Sequence, residues 1–190
     1  MPKAGDVIEN PVTGERIEFR QTGTETDGEV LEFDMYVESG GAVAAEHVHP
    51  EQTEHFQVER GEVRLRKRGD ERTYEAGDEA TIPPGTPHVW WNDGSDELHV
   101  RVTLRPASRF DQFLATLFAL ARDGETNDQG MPDLLQMAVM LQKYDDVIYP
   151  SSPPRPVQKA LFSLLTPLGH LLGYQPDYSP GDRADQITSG

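Results

Sequence analysis

Turn residues cut positions 5–106 into short stretches, and this constrains the fold more than any other feature of the chain. Several of these stretches alternate apolar and polar residues with the period of two that a half-buried strand needs. Leu31, Phe33, Met35 and Val37 share one face of such a stretch; Leu98, Val100, Val102 and Leu104 share one face of another. Asn10-Pro11 and Thr13-Gly14 mark a turn between strands at 7–9 and 15–20, and Gly40-Gly41 ends the strand at 30–38. Arg68-Gly69-Asp70-Glu71 reads as the turn of a hairpin joining 62–67 to 72–75. Many short strands at this spacing predict a sandwich or barrel, a mainly β fold.

After Pro106 the period changes. Phe110, Phe113, Leu114, Leu117, Phe118, Leu120 and Ala121 have helical spacing, with Ser108 as the expected N-cap and Gly124 as the stop. A second helix is predicted from near Pro132, carrying Leu134, Leu135, Ala138 and Leu141 on one side. Residues 150–154 read as a linker, and Pro156 suits the first turn of a third helix. That helix carries Leu161, Phe162, Leu164, Leu165, Leu168, Leu171 and Leu172, with Pro167 as a kink or break. The expected organisation is a β domain over 5–106, a C-terminal α-helical appendage over 107–175 that packs on the barrel or on a second protomer, and a polar, fraying tail over 176–190.

Composition excludes several classes. Without cysteine there are no disulfides, thiolate metal sites or cysteine nucleophiles. Asp and Glu number 33 against 17 Lys and Arg, a net charge of −16, which repels phosphate backbones and anionic membranes. No nucleic-acid or membrane partner is expected. Residues 1–6 hold no apolar stretch of a secretory signal, and no run of about 18 apolar residues occurs, so a soluble cytoplasmic protein is expected. Neither a GxxxxGK phosphate loop nor a GxSxG elbow is present.

Chemistry concentrates in three histidines among Glu46-His47-Val48-His49-Pro50-Glu51-Gln52-Thr53-Glu54-His55. His47 and His49 are two apart, so on a strand both point to one face; Glu54, Phe56 and Val58 share one face of the next strand, and His55 the other. Two imidazoles and a carboxylate facing inward suit a divalent metal. His88 follows the rigid Pro83-Pro84-Gly85-Thr86-Pro87 turn as a fourth candidate.

Two spaced patterns run through these residues. Gly41, five residues, His47, one, His49, four, Glu54, six, Gly61 is the first; Gly77, five, Pro83, one, Gly85, two, His88, three, Asn92 is the second. Together they resemble the two motifs of the cupin superfamily. The resemblance implies a double-stranded β-helix, or jelly roll, over 5–106, with one metal held by His47, His49, Glu54 and His88 between two sheets. It also implies a homodimer formed through the sheets. Gly41, Gly61, Gly77 and Gly85 are expected where turns need positive φ or close backbone approach. The ion is one divalent transition metal, Fe, Mn, Ni, Cu or Zn, which the ligand types do not distinguish.

Around this centre, Glu51 is an alternative ligand or an orienting group for a histidine. Trp90 and Phe56 are candidates to line the pocket. His99 and Arg101 are expected to be solvated unless their face looks into it, and His170 is expected to be structural. Three protein nitrogens and a carboxylate leave positions open for substrate or dioxygen. The leading expectation is a metal-dependent enzyme of the dioxygenase type on a small organic molecule, with Glu54 also a candidate catalytic proton shuttle, a role that Glu51 could fill instead. The alternatives are a metal-dependent isomerase or lyase and a non-catalytic small-ligand or metal-binding cupin.

Overall fold

The computed structural model describes residues 1–43 and 45–179. Strands β1 (Val7–Asn10), β2 (Glu15–Gln21), β3 (Leu31–Val37), β4 (His47–Val48), β5 (Thr53–Arg60), β6 (Glu62–Lys67), β7 (Asp70–Glu75), β8 (Glu79–Ile82), β9 (His88–Asn92) and β10 (Leu98–Arg105) come first. Helices α1 (Phe110–Arg122) and α2 (Leu134–Lys143), a short strand β11 (Tyr149–Pro150) and helix α3 (Arg155–Leu171) follow. The strands form two antiparallel sheets, ordered β1-β2-β3-β10-β5-β8 and β11-β4-β9-β6-β7. This is the expected jelly roll, in which non-consecutive strands become neighbours.

Alternation builds the interior. On β10, Val100 pairs with Met35 of β3 and Val58 of β5, and Val102 pairs with Phe33 and Phe56. All six side chains are buried, so the inner face of the larger sheet is a lattice of matched apolar pairs. The outer face carries a polar cluster: Asp34 accepts hydrogen bonds from Arg20, from His99 at 3.0 Å and from Arg101 at 3.3 Å. His99 and Arg101 therefore look away from the interior. Gly61, Gly77 and Gly85 have φ of +85°, +94° and +72°. At Gly41 a Cβ would stand 2.6 Å from the Thr13 carbonyl oxygen, so both expected reasons for glycine occur.

The helices join the same core. Phe110, Phe113, Leu114 and Phe118 of α1, and Met140, Leu141, Tyr144, Val147 and Ile148 in and after α2, are continuous with the barrel interior. Helix α3 lies on α2, where a Cβ on Gly169 would meet Val139 Cγ2 at 2.6 Å and Thr166 donates to the Ala138 carbonyl at 3.1 Å. Its other side is bare: Val157, Leu161, Leu164, Leu168 and Leu171 recur at intervals of four and three residues and are 37–81% exposed.

Several local expectations are corrected. Ser108 does not cap α1; it has φ +51° and Arg109 occupies the N-cap without a side-chain bond. The cap of α2 is Asp133, which accepts from the Leu135 and Gln136 N–H groups, and Leu134 points outward at 53% exposure. Pro167 does not break α3, which runs through it. Pro150, the first residue of the expected linker, belongs to strand β11, which pairs with β4. Within the expected fraying tail, Tyr178 is buried and donates to Asp123 at 2.9 Å; positions 180–190 lie outside the described residues.

Candidate metal centre

Strand pairing brings the motif histidines together. His47 on β4 is the register partner of His88 on β9, and Glu54 faces them from β5 of the other sheet. The ring centroids of His47 and His88 are 4.4 Å apart, those of His47 and His49 5.0 Å, and those of His49 and His88 5.5 Å. Glu54 Oε2 stands 2.8 Å from His88 Nε2 and 3.7 Å from His49 Nε2.

The orientation of each ring is fixed from behind. Nδ1 of His47, His49 and His88 lies 2.9 Å from the carbonyl oxygens of Ala45, Val147 and Thr86, respectively. A carbonyl only accepts, so each Nδ1 carries a proton and donates it, and the neutral ring keeps its lone pair on Nε2. Three lone pairs and a carboxylate thus converge, anchored as metal-binding imidazoles usually are.

Charges are tuned to match. Burial would raise Glu54, but the close approach of the His88 ring and the fields of all three histidines hold it at about 2. Burial lowers His47 well below its usual value, helped by His88 and His49. It lowers His49 as well. Burial also opposes charge on His88, yet the adjacent Glu54 carboxylate outweighs it and raises that imidazole.

The residues fit a metal ion. His49 Nε2, His88 Nε2 and Glu54 Oε2 are buried with no hydrogen-bond partner; the 2.8 Å approach of His88 to Glu54 lies off the line of a hydrogen bond. Leaving buried polar atoms unmatched costs about 1–3 kcal/mol each, so three of them converging on one point call for a common partner. One donor atom from each of His47, His49, Glu54 and His88 lies within 4.8 Å of the others. Two ligands about 2.1 Å from one ion are at most about 4.2 Å apart, so the group is close to the size one ion requires. These four residues can hold a metal ion.

Other candidates fall outside. Glu51 is exposed, so it is neither a ligand nor an orienting group, and the neighbouring Gln52 is buried in its place, donating to the Ala107 carbonyl at 2.9 Å. His55 bonds Thr81 at 3.1 Å on the outer side, as strand parity predicts. His170 is exposed at the end of α3, with Nδ1 3.2 Å from the Tyr174 carbonyl oxygen.

His47 and Glu54 open onto a cavity of about 120 Å³. Its walls are Met35 and Trp90 from the two sheets, Phe113 and Leu117 from α1, and Met137 and Met140 from α2. Phe56 does not reach it but stacks edge-on against Trp90, ring centroids 5.6 Å apart, on the far side. Sequence reasoning missed the helical walls and also Glu15, which lines the cavity from β2. The available signal was parity, because Glu15 shares a face with the apolar Ile17 and Phe19.

Fold and centre together define a mainly β jelly roll with a three-histidine, one-carboxylate donor set, in which His47 is half-buried and the other three are buried. Residues 33–104 match the family model of the cupin domain, and the barrel of this chain is a cupin domain. Similar solved structures include an RmlC-like cupin from Shewanella frigidimarina, at 17% identity and a TM-score of 0.46, covering 54% of this chain and 85% of that one. A predicted oxalate decarboxylase from Thermotoga maritima is similar at 20% identity and a TM-score of 0.48, over 53% of this chain and 90% of that one. No curated protein matches the sequence. Among the described residues no helix is long and apolar enough to cross a membrane.

Proposed function

We propose that the protein is a metal-dependent enzyme of the dioxygenase type acting on a small organic molecule, with His47, His49, Glu54 and His88 as the ligands of one divalent transition-metal ion. The observation that carries this reading is the set of inward-facing, unpartnered Nε2 and Oε2 atoms at the wall of an apolar cavity. A redox-active ion held there supplies Lewis acidity and a route to dioxygen. The backbone carbonyls behind the rings fix where the lone pairs point. Helices α1 and α2 wall the cavity with apolar side chains, which lowers the local dielectric and strengthens electrostatic interactions at its wall. Glu54, ionised at neutral pH, is the base nearest to a proton that a substrate gives up at the centre.

A homodimer belongs to the same proposal; the family resemblance implies a contact through the sheets, and the bare face of α3 offers a second surface that a partner protomer would cover. The four-three recurrence of Val157, Leu161, Leu164, Leu168 and Leu171 is the spacing with which two helices pack along a shared seam. A cytoplasmic location and the absence of nucleic-acid partners are part of the reading, in keeping with a net charge of −16.

Elemental analysis by plasma mass spectrometry, on untagged protein purified without chelator, tests the function. About one equivalent of iron, manganese, nickel or copper per chain, with substrate-dependent oxygen uptake, is the expected result. Zinc without oxygen dependence would transfer the same site to isomerase or lyase chemistry. No metal, and none taken up on titration, would overturn the enzyme reading.

A further inference from the structure

Glu15 is a buried acid for which the metal centre has no use. It opens β2 on the face of Ile17 and Phe19, is 5% exposed, and lines the apolar cavity that also receives His47 and Glu54. The Thr13 hydroxyl donates to its Oε2, the one hydrogen bond the described residues make to the carboxyl, and no cation among them faces it. Burial keeps it a neutral acid up to a pKa of about 8, so at neutral pH it has a hydrogen to donate beside the apolar cavity that it lines. Packing alone does not account for it, since leucine would fill such a position without desolvating a carboxyl.

Its placement fixes what it can meet. Glu54 lies on β5 and Glu15 on β2, with β10 and β3 between them. Glu15 is level with Leu98 at one end of β10, through Val37, and Glu54 is level with Leu104, six residues further along. Three strand spacings at roughly 4.8 Å and six residues at roughly 3.3 Å put the two backbones roughly 20–25 Å apart. A two- or three-carbon molecule cannot touch both ends. A cavity of about 120 Å³ walled by apolar side chains favours a slender body over a bulky one.

We propose that Glu15 is the far anchor of the substrate pocket, donating a hydrogen bond to an uncharged oxygen at the tail of a slender, largely apolar molecule whose head group lies at His47 and Glu54. The pocket therefore takes chain-like molecules with a hydroxyl or carbonyl tail and turns away those with an anionic tail. Only the placement of the head group rests on the metal reading above; the role of Glu15 as tail anchor does not.

The test is calorimetric titration of zinc-loaded protein with straight-chain carboxylic acids of graded length, each with a methyl, hydroxyl or carboxylate tail. At one chain length the hydroxyl-tailed acid should bind the wild type at least about fivefold more tightly than the methyl-tailed one, as one neutral hydrogen bond allows. The dicarboxylate should bind most weakly. Glu15→Gln, which keeps a donor, should preserve the order, and Glu15→Leu should reverse the first two. An unchanged order in a folded Glu15→Leu variant, or no binding by any member to the wild type, overturns the proposal. If the protein takes up no zinc, the metal reading fails separately. Alkanols and the corresponding diols then serve on the metal-free protein, where Glu15→Leu must still erase the preference for the diol.

Discussion

Replacing Glu15 by Gln should stabilise the protein at neutral pH and leave it nearly unchanged in acid. Burial, opposed only by the Thr13 hydroxyl, raises Glu15 from 4.5 to about 8 in the folded chain. Unfolding returns it to water, where it ionises near its ordinary value of about 4.3. Because the folded pKa is the higher one, the folded state holds a proton that the unfolded state releases between these two values. Stability tied to this group is therefore complete below about pH 4.3 and declines as pH rises toward 8. At about 1.4 kcal/mol per pH unit, the decline amounts to about 3–4 kcal/mol by pH 7 and flattens near pH 8. Glutamine has the same shape and never titrates, so it removes the decline. Urea unfolding of both proteins across about pH 5 to 8 measures the difference, and groups common to the two, including Glu54 and the histidines, cancel. The gap should widen by about 3 kcal/mol over that range in favour of the variant. Parallel curves would refute the reasoning, because they would mean that Glu15 is already ionised in the folded chain.

The metal centre and the bare helix yield two further expectations. His47→Ala and His88→Ala should each remove most of the bound metal, measured by plasma mass spectrometry, while His55→Ala and His99→Ala, which alter outward-facing rings, should leave it unchanged; equal loss at His55 would refute the assignment of strand faces. If the proposed homodimer forms through α3, Leu164→Asp combined with Leu171→Asp should leave a monomer in sedimentation velocity. These side chains are 78% and 81% exposed in the single chain, and burying a leucine contributes about 1.5–3 kcal/mol. A wild type already monomeric at high concentration would remove the basis of that contact.

The barrel and its four converging side chains were legible because both depend on local pattern. His47 and His49 share a face through the period of two, and Phe56 and Val58 orient Glu54 in the same way. The helices were legible as elements, but their ends and burial were not. The cap of α2 is an aspartate that periodicity alone does not single out, and α3 runs through Pro167 on its exposed side. Leu134 carries an apolar label yet faces outward, since which side of a helix is covered depends on what lies beside it. Glu15 was overlooked for the converse reason: alternation marks its position as interior, while its identity marks it as surface. The carbonyls of Ala45, Val147 and Thr86 carry no side-chain signature, so the groups that aim the histidines leave no trace in residue type.

One of those carbonyls links the centre to the order in which the chain is made. His49 is held by Val147, 98 positions later, and β4 gains its outer neighbour only when Tyr149–Pro150 arrives. A nascent chain that has completed β10 thus has all four ligand side chains but not the strand and carbonyl that hold one edge of them in place. Full pre-organisation must wait until the segment after α2 has left the ribosome. By the same logic, a fragment ending after the last barrel strand would keep every residue of both motifs and still leave the His49 ring free to turn.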